Sequence, residues 1–154
     1  MLAPARALAL LLPAALLAGA LGSQYLGHLV PCEMCLWQRW PHYAAVLVAL
    51  AAIAARGTGA SRPLVLLAAL LILSSGAIGV LQAGTEYHWW EGPTRCTATG
   101  LGGGDPLRAI LAAPLVRCDQ PQWTLFNVSL AGWNALFSIA GAITIVVLCL
   151  KPAR

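Results

Sequence analysis

Four apolar stretches punctuate the chain, at about 7–25, 36–55, 64–83 and 125–150. Each is close to the roughly 20 residues that a helix needs to cross the hydrocarbon core of a bilayer. Between them lie connections of unequal length, at about 26–35, 56–63 and 84–124. The pattern predicts an all-α membrane protein: a single integral domain of four transmembrane helices, with a short first loop and a long second loop on one side. A proline at position 13 is compatible with a kink in the first helix that does not end it.

Composition agrees with this reading, because 60% of the 154 residues are apolar and 9% are charged, against about a quarter charged in an ordinary soluble domain. Lysine and arginine flanking the spans set the orientation. Arg6, Arg56, Arg62, Lys151 and Arg154 fall on one face, without a carboxylate among them. The other face carries Arg39, Arg95, Arg108 and Arg117 together with Glu33, Glu86, Glu91, Asp105 and Asp119. Both termini are therefore expected in the cytoplasm. The net charge of +4 reads as a topology signal and not as a nucleic-acid footprint, since the basic residues form no run or patch.

Arg6, the apolar run and Ala18-Gly19-Ala20 also imitate a secretory signal with its cleavage site. Against cleavage, apolar character continues through Leu21, Tyr25 and Leu26, and losing this helix would leave the first outer loop anchored at one end only.

That loop carries the most informative chemistry, a Cys-Glu-Met-Cys pair, Cys32 and Cys35, just before the second span. Pro31 suits the first turn of a helix, so the pair is expected at a helix N-terminus, where backbone N–H groups stabilise a thiolate. Cys35 is then partly ionised at neutral pH. Arg39, four residues on, shares its helical face; it either supplies a fixed charge near the thiolate or snorkels to the interface.

Cys96 and Cys118 lie in the long second loop. Bridging them would close about twenty residues and contribute roughly 3 kcal/mol by chain entropy, so a structural staple and a redox pair both remain open. Around them the loop reads as glycine-rich from Thr97 to Gly104, with a short amphipathic helix from Asp105-Pro106 that carries Leu107, Ile110 and Leu111 and stops at Pro114. A four-cysteine zinc site fits half of the expected spacing, but the second pair is too far apart. No metal site is expected.

Among the remaining polar residues, Glu86 and His88 stand near the outer surface, where each could hydrogen-bond a quinone ring, relay a proton or simply be solvated. Trp89 and Trp90 suit an interfacial belt. Ser75 and Gly79 form a small-xxx-small step for close helix packing, and Asn134 in the fourth span marks a helix contact. His28 and His42 read as interfacial or packing residues. Asn127-Val128-Ser129 matches a glycosylation pattern inside the fourth predicted span, and Cys149 reads as a bystander near the cytoplasmic end.

Pro31-Cys32-Glu33-Met34-Cys35-Leu36-Trp37-Gln38-Arg39 at the head of the second of four helices, with a cysteine pair in the second outer loop, resembles the DsbB family. The resemblance spans nearly the whole chain. It implies a protein-disulfide oxidoreductase of the bacterial inner membrane, with both loops periplasmic. Its partner would be a periplasmic DsbA-like protein of thioredoxin fold, and its electron acceptor a membrane quinone, ubiquinone or menaquinone.

By the same resemblance, Cys96 would take the mixed disulfide with the partner, Cys32 would exchange with Cys118, Cys35 would face the quinone, and Arg39 would hold or polarise it. Gln38 departs from the acidic residue of the best-known members, and the loop around Cys96 and Cys118 is short. A quinone fits the energetics, since DsbA lies near −120 mV while structural disulfides lie below about −300 mV, a step some 8 kcal/mol uphill for an ordinary disulfide. Other readings are a relative of vitamin K epoxide reductase, whose dithiol lies late in the bundle, and a non-catalytic assembly factor with structural disulfides.

Overall fold

The computed structural model describes residues 2–93, 97–98 and 115–151. Helix α1 spans Leu2–Tyr25, α2 Glu33–Ala54, α3 Ser61–Glu86 and α4 Leu130–Leu150. Two small antiparallel pairs lie between α3 and α4. Thr97–Ala98 (β1) pairs with Leu115–Val116 (β2), and Thr124–Leu125 (β3) pairs with Val128–Ser129 (β4). Cys96, the glycine-rich stretch and the short helix expected after Asp105 lie outside the described residues.

The bundle is built with small side chains inside and large ones outside. Ala9, Ala45, Ala49 and Ala68 are fully buried around Val65, Ile72 and Ile145, while Leu47, Leu70, Leu136 and Ile143 are exposed. In lipid this is the economical arrangement, because tails solvate leucine as well as another helix would, and small residues let backbones approach. Gly79 shows how close: a β-carbon there would stand 3.0 Å from the carbonyl oxygen of Ala131 and 3.1 Å from the nitrogen of Ala135, both on α4.

Three helices, α1, α3 and α4, are long and apolar enough to cross a membrane. Helix α2 has the length, at 22 residues, but its outer half carries Gln38, Arg39, Pro41 and His42. Gln38 and His42 are buried within the bundle, so the polarity that lowers the hydropathy of α2 faces the other helices.

Helix α4 begins at Leu130, not at about 125. Phe126 and Asn127 both take positive φ, 51° and 60°, which makes the two-residue turn that suits the twist of a hairpin. Ser129 then caps α4, its Oγ accepting from the Gly132 N–H at 3.1 Å. Asn127-Val128-Ser129 therefore belongs to this hairpin and not to the span.

Helix α3 runs through Glu86 and closes with the Trp89 N–H on the Gly84 carbonyl at 2.8 Å and the His88 N–H on the Thr85 carbonyl at 3.1 Å. His88 occupies the left-handed position of this Schellman turn, with φ 59°.

Candidate functional site

The turn ahead of α2 places Cys32 at the N-cap, where its Sγ accepts the backbone N–H of Cys35 at 3.2 Å. Both thiols are free. Cys32 is buried and Cys35 half-buried, and Cys35 stands in the opening turn, outside the apolar run that begins at Leu36. Cys118, from the second outer loop, is fully buried in the same small cluster as Cys32 and Met34, with Val30 and Cys35 packed against it.

One side-chain tie joins that loop to the first, and an ion pair braces it locally. Gln122 Nε2 donates to the Val30 carbonyl at 2.7 Å, joining the second loop to the first. Arg117 and Asp119, flanking Cys118, form a two-point ion pair through Nε and Nη2. The guanidinium holds the Asp119 carboxyl down to about 2.

The dithiol is electrostatically lopsided. The Cys32 thiol is pushed well above its usual range, first by its hydrogen bond with Cys35 and then by burial. Cys35 is lowered to about 7, chiefly because that same hydrogen bond favours its thiolate, against the opposing effect of burial. The shared proton therefore rests on Cys32 and the charge on Cys35.

Helix α3 supplies the group that touches both sulfurs. Gln82 Nε2 lies 3.3 Å from Cys35 Sγ, 3.4 Å from Cys32 Sγ and 2.9 Å from Glu86 Oε1. Beyond it, polar side chains continue inward across the bundle through buried Gln38, half-buried Asn134, and buried His42 and Ser75.

A cavity of about 230 Å³ opens beside the pair, walled by all four helices and the two outer loops. Leu16, Ala20, Trp133 and Phe137 give it an apolar lining, and Cys35, Arg39, His42, Gln82 and Glu86 give it a polar end. Such a mix, mostly apolar with few convergent polar groups, is what a small-molecule site requires. Two buried polar atoms are without a hydrogen-bond partner among the described residues, Glu86 Oε2 and His42 Nδ1.

The expected site residues thus fare unequally. Cys32, Cys35 and Cys118 meet, and Arg39 and Glu86 line the same cavity. Arg39 donates to Gln24 Oε1 and to the Ala20 carbonyl of α1, so its charge is anchored to the cavity wall. His88 is exposed and is not part of the lining; its position in the α3 end turn sends it elsewhere. Cys96 lies outside the described residues.

Gln82 escaped sequence reasoning, as did the bonding of His42 to Asn134 and Ser75. The available signal was that polar residues inside an apolar span face a partner.

The family profile described as "DsbB: Disulfide bond formation protein DsbB" matches residues 3–148. The chain is 34% identical to a "Disulfide bond formation protein B" of Polaromonas sp. strain JS666, over 98% of this chain and 94% of that one. It is 31% identical to proteins of the same name from Polaromonas naphthalenivorans, over 99% and 95%, and from Verminephrobacter eiseniae, over 94% and 86%. No solved structure matches. With a dithiol at the head of its second helix and a family match across nearly its whole length, the chain belongs to the DsbB family of disulfide bond formation proteins, membrane oxidoreductases built from apolar helices.

Proposed function

We propose that the protein reoxidises a periplasmic DsbA-like thioredoxin-fold partner and passes the electrons to a membrane quinone. The observation that carries this reading is the burial of Cys118 against Cys32, beside a cavity onto which Cys35 opens. Thiol–disulfide exchange needs the attacking and attacked sulfurs to touch, and here sulfurs from two separate loops share one cluster.

In the proposed sequence a partner thiolate attacks Cys96 of a Cys96–Cys118 disulfide, forming a mixed disulfide and releasing Cys118. The second partner thiol resolves the mixed disulfide. The Cys118 thiolate attacks Cys32 of an oxidised Cys32–Cys35 pair, breaking that bond and leaving Cys35 as thiolate; Cys96 then resolves the Cys32–Cys118 bond. Each round moves two electrons inward, and one proton stays on Cys32.

A quinone head group suits the cavity by its chemistry: a flat apolar ring for a mostly apolar lining, and two acceptor oxygens for a polar end where the Arg39 guanidinium carries N–H donors. Bound there, the quinone supplies the two-electron sink. The chain's own part would be division of labour: Arg39, held by α1, presents a fixed positive charge, Glu86 offers a proton-binding oxygen, and the tryptophan and phenylalanine of α4 exclude water. His88, exposed outside the cavity, has no role in this proposal. The orientation consistent with it puts both termini in the cytoplasm and the four outer cysteines in the periplasm of the inner membrane.

The test is anaerobic reduction of the purified protein by a reduced DsbA-like partner with added ubiquinone or menaquinone. Quinol forms in the wild type and falls to background in Cys35→Ser; quinol formation undiminished in that variant sinks the reading.

A further inference from the structure

Three side-chain amides and an imidazole run in line from the centre of the bundle to the dithiol, and each can be oriented from its neighbours alone. Asn134 Nδ2 lies 3.3 Å from the backbone carbonyl of Ser75, Gln38 Nε2 3.5 Å from the carbonyl of Met34, and Gln82 Nε2 2.9 Å from a Glu86 carboxyl oxygen. A carbonyl only accepts, and so does a carboxylate, so in all three amides the nitrogen must face that way.

With the amides pinned, every remaining bond has one sense. Asn134 Nδ2 donates to Gln38 Oε1 at 2.7 Å. Gln38 Nε2 donates to Gln82 Oε1 at 2.5 Å. Gln82 Nε2 donates to the sulfurs of Cys35 and Cys32.

At the inner end, Ser75 Oγ donates to the Gln38 carbonyl at 2.8 Å, so it can only accept from His42 Nε2, 2.9 Å away. Asn134 Oδ1, also 2.9 Å from His42 Nε2, is an acceptor too. His42 therefore carries its hydrogen on Nε2, and its unpartnered Nδ1 is where the chain begins.

We infer that His42, Asn134, Gln38 and Gln82 form a directional hydrogen-bond chain whose donor end stabilises the Cys35 thiolate, with the three inner residues acting as positioning residues through Gln82. Aligned hydrogen bonds polarise one another in a low-dielectric interior, so donors two helices away strengthen the last one. The chain crosses from α4 through α2 to α3, which makes the charge on Cys35 depend on the packing of three helices. The inference builds on Cys35 as the reactive thiolate of the proposed function.

Other groups act on Cys35 as well. Cys32 lies on its own segment, Arg39 and His42 on its own helix, Glu86 on α3, and Arg117 and Cys118 on the second loop. The cavity-lining residues of α1 and α4 include no titratable side chain. Neutral replacements at Gln38 and Asn134 leave all of these charges in place, whereas Gln82→Met also takes a donor from Glu86.

The test is the pH profile of iodoacetamide alkylation of Cys35 in the reduced full-length protein, without partner or quinone, read by mass spectrometry of the Cys35 peptide. Gln82→Met is expected to move the midpoint up by about one pH unit, slowing alkylation at pH 7 about fivefold. Gln38→Met and Asn134→Leu move it in the same direction by less. In a Gln82→Met background Asn134→Leu adds nothing, because the route to the sulfur is already cut.

Unchanged midpoints in the Gln38 and Asn134 variants, or a full Asn134 effect persisting without Gln82, overturn the chain. Gln38→Met carries both comparisons should Asn134→Leu fail to fold. Quinol formation surviving in Cys35→Ser would instead overturn the proposed function and leave these profiles standing.

Discussion

At the scale of single residues, the dithiol shows how one proton can be placed by a hydrogen bond between two thiols, with burial second. Cys32 and Cys35 are chemically identical, yet the N-cap sulfur is enclosed and the sulfur one turn on meets a cavity and an amide donor. With Cys35 lowered to about 7, its alkylation is expected to be near half-maximal at pH 7 and to fall about tenfold for each unit below about pH 6. Cys32 should stay unmodified throughout. The charge on Glu86 opposes the Cys35 thiolate. Glu86→Gln should therefore shift the alkylation midpoint to lower pH, opposite in sign to the loss of Gln82; an upward shift would show that the carboxylate matters mainly by holding Gln82.

Elements record where local and tertiary forces divide. Helices α1, α3 and α4 were legible because runs of apolar residues long enough to span a bilayer have few other outcomes, and α2 was legible from its start at the dithiol and its length. The start of α4 was not, since Trp123, Leu125, Phe126 and Val128 continue its apolar character while the backbone at Phe126 and Asn127 turns left-handed. Of the site, Cys32, Cys35 and Arg39 were readable from spacing at a helix start. The meeting with Cys118 rests on Gln122 and Val30, and nothing local in the sequence links those two. Gln82 and Asn134 were visible only as polar residues in lipid, without a hint of which amide serves which.

Helix packing yields two expectations. Gly79→Val should destabilise the α3–α4 contact by about 1–3 kcal/mol, because backbone on both sides must yield. Ser129→Ala should cost about 1 kcal/mol through loss of the α4 cap. Thermal unfolding in one detergent checks both, and an unchanged Gly79→Val would mean that the helices separate without penalty.

For the whole molecule, the division between a basic end and a cysteine-bearing end sets the proposed orientation. In a background with the native cysteines replaced by serine, Thr58→Cys, in the exposed turn between α2 and α3, should resist a membrane-impermeant maleimide in intact spheroplasts and react after lysis. Labelling before lysis would reverse the bundle. The packing of Cys118 and Cys32, at 0% and 2% exposure, also bears on what the protein ignores. A small thiol such as glutathione, diffusing through the surrounding water, finds neither sulfur at the surface. Direct attack on either of these two sulfurs then requires the second loop to shift first, so Cys32 and Cys118 are shielded from free metabolites for as long as that loop stays packed.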